Sequence, residues 1–480
     1  MLLRNTLLYL PAQIIGPLAQ LAAMIVWTHV VDEPTLGIIT LITATHELLQ
    51  IVFLVWWSQY ALRFLDRHRD DADAARFYRT ENSILIGSCI AQSIIVVAIL
   101  VTIIAPQADA QLIAATVAYV FTRTINLYIG DRARARHQIG VYTLQVTLGP
   151  ALGFVIGLIL IRLIDRSAVW PLTGYAIAQL AAAIVVLPRL DCGRNLWPPD
   201  RDIVNHALRY GLPLVVGGAL GWVSLNASRF IVNQMLGVAA AGLFAVGYGL
   251  GQRAATFAAM LVTAGAFPLA VASMERHGIK VAMRQLADNG ALLAAVLAPC
   301  TVGIFVLRAE FVHLLIAPAF QQITLAVLPL SVVAGSIRSL RAHFVDQTFL
   351  LHNRTGLLAA VAAFDAVMTV MLSFIFVRHW GLVGCAGAAA VAAFFAATAS
   401  FALAFWRFDL RLPLQHLIPL AAATAIMAEI LNAVPEASSL VVLSAHVALG
   451  SAIYLAALGV FYAPLLMRML RLRQQQQSES

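Results

Sequence analysis

The chain has 480 residues, of which 61% are hydrophobic and only 11% are charged. About a quarter of the residues in a soluble domain are charged, so this composition excludes an ordinary soluble protein and predicts an all-α polytopic membrane protein. The net charge of +8, from 31 Lys and Arg residues against 23 Asp and Glu residues, leaves nucleic acid, anionic lipid, an anionic substrate or membrane topology as its cause.

A membrane-spanning helix needs about 20 mostly apolar residues. Apolar runs separated by charged or Pro/Gly-rich segments predict fourteen spanning helices. In chain order they lie at 7–31, 36–61, 83–105, 111–130, 139–163, 171–188, 208–233, 240–270, 287–307, 320–350, 356–377, 382–405, 413–434 and 440–463.

The positive charges predict the orientation of these helices. If the N-terminus is inside, the cytoplasmic segments hold 22 Lys and Arg residues and the outer loops hold four. Cytoplasmic loops of membrane proteins carry an excess of Lys and Arg, so we expect both termini to be cytoplasmic. Topology therefore explains the surplus charge, and no nucleic-acid partner is required.

A candidate linker, 189–207, contains two prolines between Trp197 and Asp202. The predicted organisation has two six-helix lobes joined by this linker, followed by two C-terminal helices. The segments are an N-terminal lobe (1–188), the cytoplasmic linker (189–207), a C-terminal lobe (208–405), two further spans (413–463) and a cytoplasmic tail (464–480).

The two predicted lobes open with a similar pattern. Pro11 precedes Gly37 by 26 residues, and Pro213 precedes Gly242 by 29 residues. In both cases a Pro/Gly-interrupted helix is followed by a short outer turn and a long second helix. Repeats with interrupted opening helices are typical of transporters.

Five arginines lie inside the predicted spans. An Arg at the centre of a span costs about 2.5–3.5 kcal/mol, so these side chains are expected to face protein or a water-filled cavity. They are Arg123, Arg229, Arg253, Arg338 and Arg341. The acidic residues in the spans are Glu47, Asp346, Asp365 and Glu429.

Helical spacing places several of these residues on polar stripes. Asn226, Arg229 and Asn233 share one face of the seventh span, and Arg338 and Arg341 share one face of the tenth. Such stripes line an interior because polar groups are costly against lipid. Guanidinium groups match phosphate oxygens, which favours a cationic cavity for an anionic group. The alternative is that the arginines pair with the acidic residues and only stabilise the helix bundle.

His46 and Glu47 in the second span are the candidates for ion coupling, since an imidazole or a carboxylate in a wet cavity takes up a proton. A structural role as partner of an arginine is the alternative. The sequence contains no Walker A, HExxH or nucleophile-elbow motif and no Cys/His spacing for a metal. No enzyme activity, catalytic residue, cofactor or metal is therefore predicted.

With these features the chain resembles the polysaccharide (O-antigen/exopolysaccharide) flippases of the multidrug/oligosaccharidyl-lipid/polysaccharide exporter superfamily. The likeness covers about residues 1–465 and comprises the fourteen spans, the break near Trp197, the paired Pro/Gly openings and the Arg-rich interior. It implies alternating access that moves undecaprenyl-diphosphate-linked oligosaccharide units to the outer leaflet of the bacterial cytoplasmic membrane. It further implies that Arg229, Arg338 and Arg341 hold the pyrophosphate.

The resemblance also implies partners: membrane lipids, polysaccharide polymerase or export machinery, and a coupling proton or sodium ion. Two alternatives share the fold, a peptidoglycan-precursor (lipid II) flippase and a cation-coupled multidrug antiporter. A cationic drug requires an acidic or aromatic cavity, whereas the predicted interior holds five bases and four acids. A membrane polymerase usually carries a large outer loop, and the predicted outer loops are short.

Overall fold

The structure, a computed structural model, describes residues 16, 18–65, 71–136, 138–186 and 197–478. Over this part the chain is built from α-helices, which we number in chain order. They are α1 (Leu18–Val30), α2 (Glu33–Phe64), α3 (Asp71–Ile99), α4 (Ala110–Ala135), α5 (Ile139–Leu163), α6 (Val169–Val186), α7 (Arg201–Leu236), α8 (Val238–His277), α9 (Ile279–Val306), α10 (Arg308–Leu315), α11 (Pro318–Leu340), α12 (Gln347–Leu351), α13 (Thr355–Phe408), α14 (Leu414–Ala433) and α15 (Leu440–Ser478). Three π-helical turns interrupt or extend them at Ile51–Val55, Leu100–Ile104 and Arg341–Val345.

The predicted all-α polytopic fold is confirmed. Twelve helices of the described part are long and apolar enough to cross a membrane. One of these, α13, has 54 residues and breaks at Gly381, where φ is +57°. A helix of that length extends about 80 Å, far beyond a hydrocarbon core of about 30 Å, so α13 supplies both predicted spans 356–377 and 382–405.

The outward faces of the helices are apolar. Leu163, Ile418 and Val441 expose 75%, 78% and 79% of their surface. Large contiguous apolar surfaces are unusual on soluble monomers, whereas lipid is as apolar as these side chains. The chain is therefore a multi-pass membrane protein. Its orientation remains a prediction, and the start of the first predicted span, 7–31, lies outside the described residues.

Helix ends differ most from the prediction. Helix α3 begins at Asp71 rather than near 83, α4 ends at Ala135 rather than near 130, and α7 begins at Arg201 rather than 208. The Asp200 carboxylate caps α7 by accepting from the amides of Asp202 and Ile203 at 3.0 and 3.2 Å. Polar caps and charged first turns stabilise helix ends, so helices continue past the apolar window that predicts their spans.

The chain divides into two compact units. The first comprises Met1–Val246 with Ala362–Cys385, and the second Gly247–Val361 with Ala386–Ser480. Hence the first turns of α8 belong to the first unit and the remainder to the second. The predicted lobe boundaries remain a prediction, and residues 189–196 of the predicted linker lie outside the described part.

Within the first unit, Gly37 and Gly242 of the predicted repeat lie at the same crossing, that of α2 and α8. A Cβ atom on Gly242 would lie 2.0 Å from the carbonyl oxygen of Glu33, and one on Gly37 would lie 2.1 Å from that of Val238. Helices α2 and α8 therefore touch backbone to backbone near their N-termini. Such approach requires residues without side chains.

Candidate functional site

A chain of buried polar side chains runs through the first unit. His46 Nε2 lies 3.0 Å from the Thr124 hydroxyl, which donates to Gln92 Oε1 at 3.4 Å. Gln92 in turn donates to Gln50 at 3.3 Å. All four residues are buried. His46 and Gln50 of α2 therefore face the interior of the helix bundle, and His46 is held there by hydrogen bonds.

A second set of buried, hydrogen-bonded side chains lies between α4, α5 and α6. Thr122 donates to Gln179 at 3.2 Å, and Asn126 donates to Gln145, whose own amide donates to the carbonyl of Ala182 at 3.0 Å. Buried polar groups are almost always hydrogen-bonded. These side chains therefore fix the register of the three helices. Gln145 and Gln179 have no counterpart among the predicted residues.

Glu47 points away from its neighbour His46. The Glu47 side chain is exposed on the first unit, and that of Arg123 is half-buried. Both charges act electrostatically on buried Tyr119, and Arg123 also acts on His46. A carboxylate at this depth is too costly against hydrocarbon, so Glu47 is placed to face water or protein. The structure thus brings Glu47, His46 and Arg123 into one neighbourhood.

The stripe on α7 has one charged and two amide side chains. Asn233 donates to the carbonyl of Ile103 at 3.0 Å, and Asn226 donates within its own helix to Trp222 at 3.4 Å. Ile103 lies in the π-turn that ends its helix, and carbonyls of a last helical turn have no partner within the helix. The two predicted binding asparagines therefore bond to backbone, and Arg229, half-buried, is the charged member of the stripe.

In the second unit, Arg338 and Arg341 lie at the end of α11. Arg338 is only 7% exposed and donates to the phenol of Tyr248 at 3.2 Å. Arg341 pairs with Asp346 at 3.3 Å, and that carboxylate accepts from Ser400 at 2.5 Å. Arg341 therefore pairs with a carboxylate, and Arg338 donates to the hydroxyl of a tyrosine.

Arg253 lies on α8, half-buried. Its neighbour Gln252 donates to the carbonyl of Ser331 at 3.1 Å, and a Cβ on Gly251 would meet the Ser331 hydroxyl at 1.8 Å. This segment of α8 is therefore pressed against α11, the helix that carries Arg338. Of the five predicted arginines, Arg338 and Arg341 are brought together, while Arg229 and Arg253 lie on separate helices.

The prediction missed a buried ion pair in the first unit. Arg132 of α4 pairs with Glu81 of α3 at 3.0 Å, with side-chain exposures of 4% and 1%. Tyr128 donates to Glu81, and Trp57 donates to Tyr128 at 3.0 Å. Both charges stand beyond the predicted apolar windows, Glu81 just before the third predicted span and Arg132 just after the fourth. One signal was available: the two charges are opposite, and each flanks one of two consecutive spans.

A cavity of about 330 Å³ opens at the other end of the first unit, lined by Asp109 and Asp165. Interaction with Ser167, whose backbone amide donates to Asp165 at 2.8 Å, lowers the pKa of the Asp165 carboxyl group. Two carboxylates repel an anion. This cavity therefore does not suit an anionic group, which leaves the interior arginines as the candidate site.

Comparison with known proteins gives a consistent result for fold and family. The family model described as polysaccharide biosynthesis protein matches residues 2–274. No curated protein matches the chain.

Solved structures resemble the whole chain. The lipid II flippase MurJ in an inward closed conformation aligns with a TM-score of 0.79 and 11% identity, covering 96% of this chain and 100% of the other. An inward-facing multidrug resistance MATE family transporter of the MOP superfamily aligns with a TM-score of 0.62 and 16% identity, covering 87% and 98%. At these identities the likeness shows the fold alone.

Proposed function

The chain belongs to the polysaccharide biosynthesis protein family, and from this premise we propose that it flips undecaprenyl-diphosphate-linked oligosaccharide units across the bacterial cytoplasmic membrane. Its fold is that of flippases and transporters of the MOP superfamily. The movement serves polysaccharide biosynthesis and export, including lipopolysaccharide and exopolysaccharide. We propose that the units are then taken by polymerase or export machinery.

The observation that carries this proposal is the position of Arg338, a guanidinium that is buried in a spanning segment and donates to the Tyr248 hydroxyl. A diphosphate is too strongly hydrated to enter hydrocarbon, so its carrier must replace water with fixed donors. A guanidinium stays charged at any relevant pH and binds phosphate oxygens in pairs. Arg338 and Arg229 are our proposed diphosphate ligands, with Arg123, Arg253, Asn226 and Asn233 lining the path.

Arg341 has a different role in this proposal. Its ion pair with Asp346, which is 4% exposed, fixes the π-turn after α11. Removing Arg341 would leave the Asp346 carboxylate without that cation in a buried position, which is destabilising. Loss of transport in an Arg341 variant could therefore result from misfolding as well as from weaker substrate binding. Arg338 and Arg229 are the sharper targets.

We predict that Arg229→Ala with Arg338→Ala reduces export of the lipid-linked units at least tenfold, because both anchoring charges are lost. The measurement is the fraction of lipid-linked oligosaccharide that a membrane-impermeant oxidant reaches on the outer face of cells expressing each variant. Arg354→Ala, at an exposed arginine between α12 and α13, is the matched control and should export normally. Normal export by the double variant at equal protein level would refute the assignment of these ligands.

Two other substrates remain to be tested against this proposal. The similarity to the lipid II flippase over the whole chain favours a peptidoglycan precursor, which carries the same diphosphate. If depletion of the protein halts cell-wall synthesis and kills the cells, that substrate is favoured over a dispensable polysaccharide. The similarity to multidrug transporters favours drug efflux, which a resistance assay in a pump-deficient host would reveal.

We further propose that Glu47 couples transport to a proton or sodium gradient, with His46 positioning α2 through its bond to Thr124. Glu47→Gln should reduce gradient-driven flipping to the rate without a gradient, because an amide binds neither ion as a carboxylate does. Transport in vesicles with an imposed proton or sodium gradient measures this. Glu429→Gln, at an exposed carboxylate near the end of α14, is the control. Equal gradient response in wild type and Glu47→Gln would contradict the assignment.

A further inference from the structure

The second unit contains a cavity that the transport proposal does not use. It has a volume of about 390 Å³ and lies between α9, α14 and α15. Its walls are mainly apolar, and three polar side chains stand among them. The lining includes Leu292, Leu420 and Leu458 together with Asp288, His416 and Tyr462.

Asp288 is the charged group of this cavity. Its side chain is exposed on α9, a membrane-spanning helix, and within the described part of the chain it has no hydrogen-bond or ion-pair partner. The adjacent Asn289 points inward and donates to the carbonyl of Ala266 at 2.7 Å. A carboxylate on the lipid-facing side of a span is costly unless it meets water or a cation. Asp288 therefore offers an acceptor for a cation at the protein surface.

His416 and Tyr462 supply a donor in the same cavity. Gln415 Nε2 lies 3.1 Å from His416 Nε2, and with the Gln415 amide in this orientation we assign the ring proton to the other nitrogen, Nδ1. His416 Nδ1 then donates to the Tyr462 hydroxyl at 2.7 Å. With its oxygen accepting from His416, the Tyr462 O–H is left to donate toward another group.

The depth of these groups matches the headgroup region of a bilayer. His416 is the third residue of α14, which begins at Leu414, and Tyr462 lies at the end of the predicted span 440–463. The leucines continue from this level along the spanning helices. Polar groups at the end of an apolar groove match an amphipathic molecule that lies with its head at the interface.

We infer that this cavity binds a phospholipid with a primary ammonium headgroup, namely phosphatidylethanolamine from the surrounding leaflet. The ammonium group, with three N–H donors, satisfies the Asp288 carboxylate. The phosphate accepts from the Tyr462 hydroxyl, and the acyl chains cover the leucines. An anionic phospholipid such as phosphatidylglycerol would bring a net negative charge beside Asp288 without an ammonium group to offset it. This inference does not depend on which substrate the protein flips.

Native mass spectrometry of the purified full-length chain tests the inference. The protein is equilibrated in detergent with equal amounts of phosphatidylethanolamine, phosphatidylglycerol and phosphatidylcholine of the same acyl chains. Wild type should retain one phosphatidylethanolamine at least fivefold over phosphatidylglycerol. Phosphatidylcholine, which keeps the charge but has no N–H donors, should fall between them.

The variants separate headgroup recognition from general lipid adhesion. Asp288→Asn, which has nearly the same shape, should bring the ethanolamine-to-glycerol ratio close to one. Tyr462→Phe should lower retention of all three lipids, since each carries the phosphate. Glu436→Gln, at an exposed carboxylate between α14 and α15, should behave as wild type.

Equal retention of all three lipids by wild type would overturn the inference, and so would an unchanged ratio in Asp288→Asn. Should Asp288→Asn fail to fold, the wild-type preference and the Tyr462→Phe result still decide. Because the readout is a bound lipid, its failure is distinct from failure of the transport proposal.

Discussion

Glu81→Ala is expected to destabilise the protein by about 3–5 kcal/mol, because it leaves the buried Arg132 guanidinium without its carboxylate. The pair joins α3 to α4 at 3.0 Å and is almost wholly buried. Glu81 also accepts from Tyr128, which accepts from Trp57, so the substitution removes two bonds, the ion pair and the hydrogen bond from Tyr128. The measurement is the free energy of unfolding, or the melting temperature, of the purified protein in detergent.

A matched control lies one residue away on the same helix. Arg134 pairs with Asp131 at 2.6 Å, but their side chains are 42% and 28% exposed. Water screens such a pair, so Asp131→Ala is expected to cost less than about 1 kcal/mol. If Glu81→Ala costs no more than Asp131→Ala, the buried pair does not stabilise the unit as we describe.

A double substitution distinguishes two explanations of this loss: the ion pair itself stabilises the fold, or a single buried charge without its partner destabilises it. Replacing a buried pair by apolar residues of similar size is often neutral. Glu81→Leu with Arg132→Met should therefore recover most of the stability that Glu81→Ala loses. Recovery would assign the loss to the unpaired Arg132 charge, and continued instability would assign it to the lost hydrogen bond between Tyr128 and Glu81.

This pair also shows where inference from the sequence stops. The hydropathy of single segments predicts the spans, and the breaks before α5 and at Gly381 fall where glycine or charge interrupts the apolar run. Glu81 and Arg132 flank such runs, and the hydropathy of single segments does not separate them from loop charges. Only the pairing of α3 with α4 shows that the two charges meet.

The pairing of Arg341 with Asp346 was hidden for a different reason. The two residues are five apart, and an α-helix places neighbours at three or four. The segment Arg341–Val345 is a π-turn, in which the Asp346 amide donates to the Arg341 carbonyl at 2.8 Å. This i→i+5 geometry aligns residues five apart. Helical spacing predicted that Arg338 and Arg341 share a face, but it could not anticipate the π-turn that neutralises one of them.

The paired glycines gave a more specific result than their pattern predicted. Gly37 and Gly242 stood out only as similar positions in two weakly similar segments. The structure brings them to one crossing of α2 and α8, where each faces the other helix's backbone. Similar sequence position thus corresponds to physical proximity here, which hydropathy alone does not indicate.

Gly242→Ala should be among the most damaging single-methyl substitutions in the chain. The added Cβ would lie 2.0 Å from the Glu33 carbonyl oxygen and 2.9 Å from the Gly37 amide nitrogen. These are backbone atoms of a helix, so they cannot rotate away as a side chain would. Overpacking in a tight interior usually costs about 1–3 kcal/mol, and we expect the upper end of that range. Larger residues at 242 should prevent folding of the first unit.

The control is Gly217→Ala on α7, where an added Cβ meets nothing within 4 Å. Alanine is favoured over glycine in a helix by about 1 kcal/mol, so this variant should be as stable as wild type or slightly more so. The melting temperatures of both variants in detergent are compared. Gly37→Ala should be as destabilised as Gly242→Ala, because its Cβ would lie 2.1 Å from the Val238 carbonyl oxygen. If Gly242→Ala and Gly217→Ala have the same melting temperature, then α2 and α8 do not touch backbone to backbone.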